Sequence, residues 1–438
     1  MAKRHLLMLG LLMGGGALSS SACTDTGIVT IGDGDAGEAG EAGAKGDAGA
    51  KGDAGAKGDA GSSMGGEGGE GGEVGFEFPA ALNPQAVIVV GPAPETSSQL
   101  LVGGTDYTTT GEIVSITLGT GKVGDSTTYE DGDTHAISSA GVGFAIERRN
   151  DKLHLLTGGK VSTTFDLTEP GGDTTPVDQK AYVPFYNQSL IAVLDLSEGK
   201  VSHRIDLNEY NARGDSDHSA DIAEGVYDPN NHIAYFLLQR IDLLSYKGTP
   251  NLPCAKNPGL IVGIDTETDE VVDLNGDAAG KAIELKLVNP RSLSINSDGT
   301  ALYLLADGCY EGSKKISRGV EVVDLTDGTT TIAYKAPGTD YLASMILIGG
   351  GDALLQSFDD EYATHWTKLD IAGGTLGAEL ENVPTAVTFD GKDLLGVEVT
   401  GTVGKVVRYN LDTESSTVIS ATSWGGDYSV ASSTALVQ

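Results

Sequence analysis

Positive charge is scarce in this sequence of 438 residues. Lys and Arg total 28 against 62 Asp and Glu, so the formal net charge is −34. Side chains that bind nucleic-acid phosphates or anionic lipid must offer a basic face. The composition therefore predicts no nucleic-acid partner and no membrane contact through a polybasic patch.

The sequence also lacks a hydrophobic run long enough for a membrane span, which takes about 20 residues. The apolar or glycine stretch at 6–18 follows Lys3 and Arg4 and leads through small residues to Cys23. This order is typical of a secretory signal. The residues before Cys23 resemble a bacterial lipobox. The resemblance implies a lipoprotein signal peptide at 1–22 and a lipid on Cys23. Thr24 follows Cys23, where an Asp would indicate retention in the inner membrane, so outer-membrane, cell-surface display is favoured. The alternative is a plain secreted protein.

Cysteine is rare, at three residues. With Cys23 assigned to the lipid, Cys254 and Cys309 remain. Two cysteines in an exported chain predict one disulfide, with two free thiols as the alternative.

Residues 23–75 are predicted to form a lipidated stalk and linker. Glycine falls at every third position from Gly34 to Gly61, and a Gly/Glu-rich linker follows up to residue 75. The triplets resemble collagen, whose triple helix needs glycine at its crowded axis, although this run has no proline. The segment is therefore interpreted either as a disordered spacer or as a collagen-like stalk that forms a trimer.

The region 76–438 carries a repeated β pattern. Short Val/Ile/Leu runs alternate with Gly, Asp and Asn turns, and seven units of about 51 residues each would supply four strands apiece. The segments at 190–201 and 260–271 resemble YVTN-type bacterial β-propeller repeats. The resemblance implies an all-β, seven-bladed propeller. The strand pattern at 427–432 is expected to complete the first blade.

Two acidic loops match part of a calcium-loop pattern. One resembles an EF-hand or dockerin loop, but Ala278 stands where the pattern needs glycine, and an ordinary hairpin turn is the favoured interpretation. The other places oxygen side chains at alternate positions, and a solvated acidic loop is its favoured interpretation. The candidate calcium ligands are Asp273, Asn275, Asp277 and Glu284 in the first loop, and Asp215, Asp217 and Asp221 in the second.

Four residues precede or begin the first strands of predicted blades, where several loops should meet at one mouth of the central channel. They are His135, His218, Glu224 and Arg291. Such groups would bind a polar ligand or metal, or act as an acid–base set. The alternative is that they fix turns through hydrogen bonds between blades.

No signature settles an enzyme class: H-E-x-x-H, a P-loop and C-x-x-C-H are all missing from the sequence. The favoured hypothesis is a non-enzymatic propeller displayed on the surface that binds a protein or glycan. One alternative is a propeller hydrolase or lactonase-like enzyme with a metal or His/Glu site. Another is an adhesin acting through the stalk or through Arg213-Gly214-Asp215.

Overall fold

The computed structural model describes fifteen parts of the chain. They are residues 82–91, 97–106, 108–172, 177–212, 217–242, 254, 257–276, 280–311, 313–349, 351–359, 361, 363–384, 386–400, 403–423 and 430–437. The predicted signal peptide, Cys23 and the Gly-X-Y segment lie outside these ranges. Within them, no helix is long and apolar enough to cross a membrane.

The described residues form a seven-bladed β-propeller, as the repeats predict, and their one helical segment is the 3-10 turn Asn208–Tyr210. The strands that the chain contributes as far as the fourth blade are β1 (Ile88–Val89), β2 (Gln99–Thr105), β3 (Gly111–Thr117), β4 (Lys122–Tyr129), β5 (Thr134–Ser139), β6 (Val142–Glu147), β7 (Lys152–Thr157), β8 (Lys160–Asp166), β9 (Lys180–Pro184), β10 (Leu190–Asp195), β11 (Lys200–Asp206), β12 (Ile222–Asp228), β13 (Ile233–Leu238), β14 (Leu260–Asp265), β15 (Glu270–Val272) and β16 (Ile283–Glu284).

The remaining strands are β17 (Pro290–Ile295), β18 (Ala301–Ala306), β19 (Cys309–Glu311), β20 (Lys314–Ile316), β21 (Gly319–Asp324), β22 (Thr330–Lys335), β23 (Tyr341–Gly349), β24 (Asp352–Phe358), β25 (Thr364–Asp370), β26 (Thr375–Leu380), β27 (Ala386–Phe389), β28 (Asp393–Thr400), β29 (Val403–Asn410), β30 (Ser415–Ser423) and β31 (Val430–Val437).

Blades two, four, five, six and seven take their strands from successive parts of the chain. From the innermost strand outward, they read β5-β6-β7-β8, β12-β13-β14-β15, β17-β18-β21-β22, β23-β24-β25-β26 and β27-β28-β29-β30. Blade four has an extra pairing of β16 with β14, and the β19–β20 hairpin is inserted in blade five.

The C-terminal strand closes the ring, which confirms the expectation for the tail. β31 is the innermost strand of blade one and pairs with β2 along its whole length, from Gln99 opposite Val437 to Thr105 opposite Val430. Because β31 completes blade one, blades one and seven meet without a gap. The sheet faces that these two blades turn towards each other are therefore covered.

Blade three also takes its innermost strand from a distant part of the chain, which the repeats did not reveal. β1 is the innermost strand of blade three, with Ile88 opposite Tyr182 and Val89 opposite Ala181. The chain then returns to build blades one and two before it reaches β9. Blade three is therefore assembled from two segments that are far apart in sequence.

Both faces of each blade are buried against neighbouring blades, which explains the continuous apolar runs. In β10, Ile191 and Val193 pack in a cluster with blade four, while Ala192 and Leu194 pack in a cluster with blade two. A strand buried on both faces has no need for alternating polar residues. The run Leu190-Ile-Ala-Val-Leu follows from this packing.

A repeated turn links the third and fourth strands of several blades. The Asp195 carboxylate accepts hydrogen bonds from the backbone N–H groups of Ser197 and Glu198, both at 2.9 Å. Equivalent bonds are accepted by Asp265, Asp324, Asp370 and Asn410. A short acid or amide that bonds the backbone two or three residues on stabilises a turn. This chemistry explains why the repeat has Asp or Asn at that position.

Candidate functional site

The propeller has two distinct ends. The loop face carries the connections between blades and between second and third strands, including 130–133, 148–151, 207–212, 217–221, 307–311 and 313–318. The turn face carries the connections between first and second strands, including 140–141, 229–232 and 296–300. The residues proposed from sequence for the channel mouth all belong to the loop-face ends of their blades.

His135 is buried in an ionic cluster rather than exposed at the mouth. Its Nε2 atom lies 2.9 Å from the Asp133 carboxylate and 2.9 Å from Nη2 of Arg148, and the residue is 6% exposed. Burial, reinforced by the Arg148 charge, lowers the pKa of His135. Burial raises the pKa of Asp133, but Arg148 and His135 outweigh it and hold that pKa well below its usual range.

Asp131 extends this cluster through the backbone. Its carboxylate accepts hydrogen bonds from the N–H of Asp133 at 2.7 Å and the N–H of Arg149 at 2.9 Å. It therefore ties the 130–133 connection to the 148–151 connection. This is the turn-fixing arrangement that the sequence analysis held as the alternative to a ligand site.

Glu224 and Arg291 are also buried and join neighbouring blades. The Glu224 carboxylate accepts a hydrogen bond from the N–H of Leu293 at 2.8 Å, which links blade four to blade five. The Arg291 guanidinium lies 4.6 Å from the centroid of the Tyr341 ring, which links blade five to blade six. Glu224 is fully buried and Arg291 is 4% exposed, so neither presents its charge to solvent at the mouth.

His218 is exposed, in the connection between blades three and four. It occupies a left-handed backbone conformation at φ 59°, and its carbonyl accepts a hydrogen bond from Asn211 Nδ2 at 2.7 Å. The Asp217 carboxylate accepts the Ser219 N–H at 2.9 Å, and the buried Asp221 carboxylate accepts the Ile241 N–H at 2.7 Å. These bonds hold the loop in shape.

Asp273 forms a turn in the first candidate calcium loop. Its carboxylate accepts the N–H groups of Asn275 at 3.2 Å and Gly276 at 2.8 Å, while Glu284 is exposed in β16. Asp215 and Asp277 lie outside the described residues. In the part of the chain that the structure covers, no group of three or more His, Cys, Asp or Glu side chains is arranged to hold a metal ion.

The expected disulfide between Cys254 and Cys309 is present. Their Cα atoms lie 4.7 Å apart, and the bond joins the loop-face connection of blade four to strand β19 of blade five. In the β19–β20 hairpin, Lys315 Nζ lies 2.7 Å from the Asp307 carboxylate. Burial lowers the pKa of Lys315, and Asp307 opposes that shift. The disulfide and the ion pair fix the loop face over blades four and five.

A cavity in the central channel is the feature that the sequence analysis missed. Its volume is about 440 Å³, and inner-strand residues of blades two to six line it. The lining reaches Ala140, Pro229 and Leu347 at the turn-face ends of these strands. His135, Glu224 and Arg291 are not part of the lining. The cavity therefore belongs to the end of the channel opposite the one that the candidate residues occupy.

Comparisons with known proteins agree with the fold. The chain is similar to a putative 6-phosphogluconolactonase from Bacteroides uniformis, with a TM-score of 0.50 and 15% identity over 77% of this chain and 99% of that one. It is also similar to one from Bacteroides fragilis, with a TM-score of 0.46 and 16% identity over 80% of this chain and 100% of the other. No protein-family model and no curated protein matches the chain. At such identities, the likeness shows the fold alone.

Proposed function

We propose that the chain is an exported lipoprotein that displays a rigid seven-bladed propeller at the cell surface as a binding module. The buried cluster at the loop face is the observation that carries the choice of binding over catalysis. There the His135 ring is enclosed between Asp133 and Arg148, each within hydrogen-bond distance. A general acid or base must reach the proton it transfers, and this ring is occupied by protein groups.

The lipoprotein part of the proposal rests on the order of segments in the sequence. A basic start, an apolar stretch and small residues precede Cys23, and a Gly-X-Y segment separates Cys23 from the propeller. A spacer of this kind would hold the propeller away from the membrane surface. The partner in this proposal is a protein or glycan outside the cell, and the stalk in its collagen-like form would assemble three chains.

Labelling with a fatty acid tests the anchor. The full-length chain is expressed in a bacterium with labelled palmitate, beside Cys23→Ala and the matched control Thr24→Ser. Label in the unchanged chain and in Thr24→Ser, but not in Cys23→Ala, is the expected result. Equal labelling of all three proteins, or of none, contradicts the proposal.

Protease treatment of intact cells tests the display. The propeller is expected to disappear from cells that express the unchanged chain, because the stalk places it outside. A propeller that is digested only after the cells are broken open contradicts surface display, even if Cys23 carries a lipid.

A lactonase-like enzyme is the less favoured function. It would need several acid–base groups open to solvent, whereas His135 and Glu224 are buried and, of the predicted set, His218 alone is exposed. Calcium at the two acidic loops and adhesion through Arg213-Gly214-Asp215 both remain predictions. Calorimetric titration with Ca²⁺ and cell attachment after Asp215→Ala, respectively, would test them.

A further inference from the structure

The central cavity has the size of a small-molecule site. Binding sites for such ligands enclose about 300–1,000 Å³ and are mostly apolar with a few polar groups. The cavity here encloses about 440 Å³, and its walls include Ile88, Leu293 and Met345, each less than a tenth exposed. The volume fits one small organic molecule, and the open cavity offers polar as well as apolar surface to it.

The charge of the wall differs from that of the protein. The chain carries a net charge of −34, yet none of the described residues that line this cavity is charged. An anion would be repelled by the surrounding acidic protein, and a cation that left water would find no carboxylate among the described wall residues to pair with. The ligand that this cavity favours is therefore uncharged.

The wall also provides hydrogen-bonding groups that carry no charge. Each inner strand pairs with another strand on its outer side only, as β12 does with β13. Side chains of neighbouring blades bond part of the inner edge, since the N–H of Val89 donates to Ser139 Oγ at 2.8 Å and that of Met345 donates to Ser292 Oγ at 3.1 Å. Ser138, Ser294 and Tyr227 add hydroxyl groups to the lining. A ligand with a hydroxyl, carbonyl or amide group on an apolar frame would satisfy these donors and acceptors.

We propose that this cavity binds an uncharged small molecule with both apolar and polar groups, which enters from the turn face. The inference deepens the proposed binding function and names its ligand class. It also places the ligand at the end of the channel opposite His135, Glu224 and Arg291.

Nile red, a neutral dye whose emission shifts to the blue in apolar surroundings, is the probe for this site. The full chain is titrated with the dye beside Ser294→Trp and Ser138→Trp, each of which adds an indole to the cavity wall. Ser416→Trp is the matched control, because Ser416 is an exposed strand residue on the outermost strand of blade seven. Ser294→Leu serves as a smaller filling variant if a Trp variant does not fold.

We expect saturable binding of one dye per chain, with an affinity unchanged in Ser416→Trp and at least tenfold weaker in the folded filling variants. The anionic dye 1-anilinonaphthalene-8-sulfonate should not displace Nile red. Equal binding by the unchanged chain and the filling variants, or no saturable binding at all, would mean that the cavity holds only water and would overturn the proposal. Displacement by the anionic dye at a similar concentration would overturn the uncharged ligand class.

Failure of this inference is distinguishable from failure of the proposed function. The dye titration uses purified protein and does not depend on Cys23. The labelling and protease experiments do not depend on the cavity. Loss of dye binding together with normal labelling and protease exposure would leave a displayed propeller whose partner binds elsewhere.

Discussion

Strand β1 offers the sharpest test of how this propeller is built. Ile88 is 2% exposed and belongs to the apolar cluster between blades three and four, which also contains Tyr182 and Phe236. Replacing a buried Ile with Ala removes its burial and leaves a cavity, at a cost of about 2–5 kcal/mol. Ile88→Ala should therefore lower the free energy of unfolding by an amount in that range.

The matched control is Val123→Ala on the outer strand of blade one. Val123 is 36% exposed, so its replacement should change the free energy of unfolding by about 0.5 kcal/mol or less. Urea unfolding followed by circular dichroism and by fluorescence gives both values, provided that the two signals change together. A loss for Ile88→Ala as small as that for Val123→Ala would refute the placement of β1 in blade three.

The register of β1 can be checked by cross-linking. The N–H of Val90 donates to the carbonyl of Lys180 at 3.0 Å, so the adjacent pair Val89 and Ala181 is a non-hydrogen-bonded pair. Cα atoms in such a pair lie about 4.5 Å apart, which a disulfide can bridge. Val89→Cys with Ala181→Cys should form a bond that mass spectrometry detects without reduction, whereas Val89→Cys with Tyr182→Cys should form far less of it.

Three further outcomes are expected. Reduction of the Cys254–Cys309 bond, which closes a separation of 55 residues, should lower the free energy of unfolding by about 4 kcal/mol in urea, and no change would refute the chain-entropy account. The pKa of His135 is lowered in the folded state, so as the pH falls below about 6.5 the imidazole binds a proton in the unfolded chain before it does so in the folded one. The free energy of unfolding should therefore decrease as the pH falls from 7 to 5, and this decrease should be smaller in His135→Gln. The buried Lys180 Nζ lies 2.9 Å from the Asp269 carboxylate, and Asp269→Ala removes this partner. The substitution should lower the free energy of unfolding by about 3–5 kcal/mol in the same urea assay. A loss below about 1 kcal/mol would contradict this prediction.

The repeats predicted the blades and the closing strand because both depend on local chemistry. Apolar runs that end in Asp or Asn mark the third strand and its turn in most units, and Asp195 and Asp265 form the predicted kind of turn. The position of β1 depends on a pairing across almost a hundred residues, which a repeat pattern does not contain. The sequence signal for this pairing was indirect. The unit at 180–206 contains three strand-like runs instead of four, and the apolar run at 86–90, which belongs to no unit, could supply the missing strand.

The candidate site was harder to predict than the fold. His135, Glu224 and Arg291 lie at the loop-face ends of their blades, but sequence position does not reveal their burial or their hydrogen-bond partners. The cavity could not be found from residue types. Its wall consists of ordinary inner-strand residues such as Ser294 and Val226, together with peptide groups that every strand possesses.

The direction of β1 also determines how the propeller would respond to mechanical load. The chain leads from Leu82, whose N–H donates to the Asp151 carboxylate at the loop face, into β1 and ends that strand at Val89, towards the other end of the channel. A force applied through the residues before Leu82 and away from that face would pull along the strand axis, at right angles to its hydrogen bonds with β9. Those bonds would be loaded together in shear instead of opening one at a time. The pairing of β1 with β9 would therefore resist the transmission of this force to the rest of the propeller.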